Sequence, residues 1–102
     1  MRGPKQKKRG ADRAHDIDAL FSAFAKLKTK SELARFLTDL ATPAELEAFA
    51  ERWRIARLLD EGGYSYREIA AVASASTTTV ARVARFLRDE ENRGYRLVLD
   101  RL

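Results

Sequence analysis

At 102 residues and 45% hydrophobic side chains, the chain has the length of one small domain, with a modest core that gains from self-association. Cysteine is absent, which excludes a disulfide framework and thiol chemistry; with neither a signal peptide nor an apolar run long enough for a bilayer, a cytoplasmic protein with no membrane partner is expected. The formal net charge of +5 is uneven, because Arg2, Lys5, Lys7, Lys8, Arg9 and Arg13 meet only Asp12 within the first thirteen residues and the remainder sums to zero.

In chain order, residues 1–12 read as a disordered basic arm, since their Pro, Gly and like charges have no apolar anchor. The arm suits either a polyanionic partner or a solvated, solubilising tail. A helical domain is expected over 13–102. Ile17, Leu20, Phe21, Phe24 and Leu27 recur at helical spacing and predict the first helix. Thr29 and Glu32 stand at capping-box spacing ahead of a second, with Leu33, Phe36, Leu37 and Leu40 on one face. Thr42-Pro43-Ala44-Glu45 is a stronger start, combining a cap, a proline at the first helical position and a reciprocal glutamate.

The third helix then carries Leu46, Phe49, Trp53, Ile55, Leu58 and Leu59, apolar on more than one face, and Gly62-Gly63 ends it. Ser65 and Glu68 open a short helix, "YREIAAVA"; after a corner at Ser74-Ala75 another runs from about Ser76 to Arg88, and "YRLVLDRL" supplies a last short one. No alternating strand pattern and no internal repeat is present, so the fold class is all-α with about six helices.

Residues 65–88 follow the helix-turn-helix pattern. Two helices meeting at a steep angle need a small residue at the contact and apolar inner positions; Ala70 supplies the first, and Ile69, Ala73, Ala75, Val80 and Val83 the others. Thr78, Ala81, Arg82 and Arg85 then face outward, with Thr77 and Thr79 on the flanks. Three consecutive threonines are costly in a helix. Their use is explained if the Ser76–Thr79 hydroxyls cap and line the first turn of a recognition helix in a major groove, with Arg82 and Arg85 beside them and Arg67 on the preceding helix adding charge. The same segment holds Arg67, Arg82, Arg85 and Arg88 against Glu68 alone, and no acidic residue lies between Ser76 and Arg88.

The stretch "TPAELEAFAERWRIARLLDEGGYSYREIAAVASASTTTVARVARFL" resembles the Trp repressor core, and "LKTKSELARFLTDL" upstream with "NRGYRLVLDRL" downstream is similar to the YerC/YecD branch of that superfamily. The resemblance covers about Asp18 to Leu102. It implies a Trp-repressor-like intertwined homodimer whose two heads address successive major grooves of a near-palindromic double-stranded DNA. Arg67 matches a DNA-contacting position, whereas Ala70 stands where a nearby lysine is found. Thr42, Arg52 and Arg82 match positions of a tryptophan pocket, yet Val83 replaces its glycine and Phe86 its serine, so side chains occupy the indole volume and no cofactor or corepressor is expected.

Two functions from different classes follow. One is a sequence-specific DNA-binding transcriptional regulator, a repressor by resemblance, acting as a homodimer through Arg67, Ser76, Thr77, Thr78, Thr79, Arg82 and Arg85. The other is a helical dimeric interaction module that does not read DNA. An enzyme is not expected, because no nucleophile with a base, catalytic carboxylate pair or phosphate loop is present. His15 has no companions for a metal site or for catalysis. Glu47 and Glu51 read as a solvated face balancing Arg54 and Arg57, and Trp53 as core; Tyr64 and Tyr66 are left between phosphate contact and packing.

Overall fold

The computed structural model describes residues 9–89 and 91–102, all of them helix, turn or connection. Six helices follow in order: α1 (Arg9–Ala25), α2 (Lys30–Leu40), α3 (Pro43–Glu61), α4 (Tyr66–Ala73), α5 (Thr77–Arg88) and α6 (Gly94–Leu99). The all-α expectation holds. Residues 1–8, with Lys5, Lys7 and Lys8 of the basic arm, lie outside the described residues, as does Glu90. The last four residues assigned to the arm, 9–12, are helical, since α1 begins at Arg9 with Asp12 in its first turn, where a carboxylate suits the positive end of the helix dipole.

The chain divides into two compact units, Met1–Leu40 and Ala41–Leu102. In the first, α1 closes before the sequence stripe does: Lys26 and Leu27 donate their backbone N–H groups to the carbonyls of Ala23 and Phe24, so Leu27 falls beyond the helix in a tightened turn. Thr29 caps α2 by accepting the N–H of Glu32 at 3.1 Å, and Glu32 accepts the N–H of Lys28 at 2.8 Å, one residue ahead of the usual capping-box partner. Phe24 and Phe36 meet edge to face with centroids 5.5 Å apart.

The second unit holds the core. Ile55, Ala56 and Leu59 of α3, Ile69, Ala70 and Ala73 of α4, Val80, Val83, Ala84 and Leu87 of α5 and Leu99 of α6 are buried together, with Trp53, Leu58, Ala75 and Tyr95 packed against them. Helix α5 is central, touching α3, α4 and α6. The start signals at Thr42 and Ser65 form complete capping boxes with Glu45 and Glu68, and Gly62, at φ 82°, ends α3 in a conformation glycine tolerates without steric cost. Arg96 ties α6 to the end of α3, with 2.8 Å to Asp60 and 2.9 Å to Asp100.

Candidate nucleic-acid interface

The α4–corner–α5 unit is built as the inner positions require. Ile69, Ala70, Ala73, Val80 and Val83 are buried, and Ala75 is half-buried at the bend. Ser74 makes the corner in the left-handed region, φ 55° and ψ 43°, where glycine is the usual residue. Its N–H reaches the carbonyl of Ala71 at 3.4 Å while Ala75 N–H reaches that of Ala70 at 2.9 Å, the paired bonds of a Schellman closure. A small core-facing Ala70 and a one-residue reversal together aim α5 away from α4.

At the start of α5, the Ser76 hydroxyl accepts the N–H of Thr79 at 3.1 Å, and the two hydroxyl oxygens lie 3.1 Å apart. Thr79 therefore takes the place of the glutamate that closes the other boxes, and these two hydroxyls are spent largely on the cap. A helix leaves its first N–H groups without intrahelical acceptors, so those of Thr77 and Thr78 point outward from the capped end. Both threonine side chains are exposed, as are Arg82 and Arg85 further along the helix and Arg67 in the first turn of α4. The last turn carries Arg85 and Arg88, which also suit the negative end of the α5 dipole. No acidic residue interrupts α5.

Two of the three arginines of α5, Arg82 and Arg85, are not simply extended. The Arg82 guanidinium lies 4.6 Å from the Phe86 ring centroid and that of Arg85 5.1 Å, both within cation–π range. Sequence reasoning assigned Phe86 to plugging an indole volume and missed this role; its signal is the i, i+4 spacing of Arg82 and Phe86. Beside the ring a hollow of about 320 Å³ is lined by Arg52, Arg82, Val83, Phe86, Asn92, Gly94 and Tyr95. Val83 and Phe86 thus narrow this region without filling it. Of the three residues matched to a ligand pocket, Arg52 and Arg82 share the hollow, while the Thr42 hydroxyl is occupied in capping α3.

Other sequence candidates are placed less suggestively. The Tyr64 hydroxyl donates to the Glu61 carboxylate at 3.2 Å, and this bond with the adjacent negative charge raises the phenol above its usual range. An acidic neighbour makes Tyr64 a poor phosphate contact. Glu47, Glu51 and Arg54 border one shallow groove, and His15 is exposed on α1. Among the described residues no cluster suited to a metal ion is found and no helix is long and apolar enough to cross a membrane.

The model of the Trp repressor protein family matches residues 15–102, from within α1 through α6. The chain belongs to that family. It is 39% identical over 90 residues to the Bacillus subtilis protein YerC, spanning 88% of this chain and 85% of the relative. Among solved structures it is similar to a TrpR-like protein from Eubacterium eligens, at TM-score 0.75 and 33% identity over 85% of this chain and 88% of that one. A Trp repressor candidate from Staphylococcus aureus matches at TM-score 0.75 and 31% identity, over 94% of both chains. The sequence resemblance to the YerC-type branch is thereby established, and the family is of transcription-regulator rather than enzymatic type.

Proposed function

We propose that the chain is a sequence-specific DNA-binding transcriptional repressor, working as a cytoplasmic homodimer and without tryptophan as corepressor. The observation that carries this reading is the outer face of α5: Thr77, Thr78, Arg82 and Arg85 are exposed on a helix with no acidic residue, set off from α4 by the Ser74 corner. Threonine hydroxyls and methyls match base edges and thymine methyls, arginine matches guanine and phosphate, and an acidic side chain there would repel the backbone. Arg67 supplies a phosphate contact from α4, and the arm lysines add non-specific charge. The dimer is supported by the apolar side chains that α1, α2 and α6 leave exposed, among them Ile17, Phe21, Leu33, Leu40 and Leu97.

The test is selection of bound sites from random duplex DNA, followed by affinity measurements on the selected sequence with and without tryptophan. A near-palindromic consensus with half-site centres about 34 Å apart is expected, unaffected by tryptophan. Thr78→Ala and Arg82→Ala should each cost about 1–3 kcal/mol of specific binding and relax discrimination. Removing residues 1–8 should instead weaken all duplexes alike and reduce the salt slope by about one per lost phosphate contact. No consensus, with parent-like binding by both alanine variants, transfers this surface to a protein partner.

A further inference from the structure

We propose that Phe86 is the positioning residue of the reading face, its ring holding the guanidinium groups of Arg82 and Arg85 in place before DNA arrives. The inference rests on the DNA-reading function proposed above. Its basis is that one half-buried ring has both cations within 5.1 Å of its centroid. The ring itself is half-buried and borders the hollow it shares with Arg52, Val83 and Tyr95.

Three consequences follow from the chemistry. Arg82 and Arg85 are like charges one turn apart on a helix, a pairing that ordinarily splays the side chains; the electron-rich face of a shared ring offsets that repulsion. Contact with the ring is made through the charge of the guanidinium and needs no hydrogen-bond acceptor, so it does not by itself consume the donors needed for phosphate or guanine. Arginine is also rich in rotamers, and each such side chain that must be ordered on binding weakens association by about two- to tenfold. A pair already held against the ring has lost part of that freedom.

Leucine at position 86 keeps apolar bulk but has no ring face, whereas tyrosine keeps both. The test compares the parent, Phe86→Leu and Phe86→Tyr in two measurements. In the free protein, the side-chain methylene protons of Arg82 and Arg85 should show ring-current upfield shifts in the parent and Phe86→Tyr, and lose them in Phe86→Leu. On the selected operator duplex, Phe86→Leu should bind about tenfold more weakly while its affinity for random duplex is unchanged, and Phe86→Tyr should restore operator affinity. Parent arginine protons at ordinary shifts, equal operator affinity for parent and Phe86→Leu, or equal loss in both variants each overturn the proposal. The first of these needs no variant and so stands even if Phe86→Leu fails to fold. If the parent itself shows no preference for any duplex, the DNA-reading function falls, and the arginine proton shifts alone decide whether Phe86 positions them.

Discussion

The two units of the chain put similar apolar content to different use. In Ala41–Leu102 the aliphatic side chains of four helices converge, and Ile55, Ile69, Val80 and Val83 are almost wholly removed from solvent. In Met1–Leu40 none of the described residues with an assigned exposure is buried, although α1 and α2 carry amphipathic stripes; Phe21 remains 63% and Ile17 51% exposed. The physical difference lies in what surrounds each stripe. Helix α5 is packed by three neighbours within its unit, whereas α1 and α2 offer each other chiefly the Phe24–Phe36 contact. A small chain can complete one such core, and the second set of stripes is surface that a second copy can cover.

This contrast makes the largest predicted effect one of assembly. Phe21→Glu removes an apolar contact worth about 1.5–3 kcal/mol from each copy, so by two-fold symmetry the dimer should weaken by about 3–6 kcal/mol. Sedimentation equilibrium at micromolar concentration should find the parent dimeric and Phe21→Glu largely monomeric; an unweakened dimer removes α1 from the interface. Ile55→Ala serves as the opposite control. Truncating a fully buried side chain should cost about 2–5 kcal/mol of folding stability, read from urea unfolding and present at every protein concentration.

Much of this was legible in the sequence because the signals are local. Thr42, Ser65 and Ser76 cap the helices that their hydroxyls announce, and the inner positions of the helix-turn-helix are buried as periodicity gives, except Ala75 at the bend, which is half-buried. What escaped depends on separation or on competition between roles. The Arg96 bridge to Asp60 joins residues 36 apart, which no periodicity encodes. Leu27 fits the α1 stripe by spacing, but the chain needed its backbone to tighten the exit turn. The Ser76 and Thr79 hydroxyls belong to a face that reads as DNA-directed, yet they are held by each other. Phe86 looked like a plug because its bulk is visible in one letter, whereas its ring face matters only once Arg82 and Arg85 are placed over it.

A smaller effect concerns the corner that sets α5 apart from the rest of its unit. Ser74 sits at φ 55°, where a side chain with a Cβ costs about 1–2 kcal/mol relative to right-handed backbone. Glycine avoids that cost but brings a more flexible unfolded chain, so Ser74→Gly should stabilise the second unit by about 1 kcal/mol. Thermal unfolding should show a higher midpoint with operator affinity unchanged. A lower midpoint would mean that the serine side chain contributes more to the corner than its backbone strain removes.

The smallest effect separates the capping chemistry of α3 from the burial of its core residues. Glu45 accepts the Thr42 N–H at 2.8 Å while the Thr42 hydroxyl accepts the Glu45 N–H at 3.1 Å. The backbone hydrogen bond from Thr42 is the main reason, and the Thr42 side chain the second, that the Glu45 carboxyl is held below its ordinary value of 4.5. A carboxyl with a lowered pKa in the folded state stabilises fully above its unfolded value and loses that contribution as pH falls through the folded one. Glu45→Gln keeps an oxygen acceptor for Thr42 but has no proton to take up. The variant should therefore be slightly less stable than the parent at pH 6, where the carboxylate is the stronger acceptor and suits the positive end of α3, and the gap should narrow toward pH 3. Urea unfolding at the two pH values measures this. A gap of equal size at both would place the acid sensitivity on other carboxylates and leave the α3 cap a matter of geometry alone.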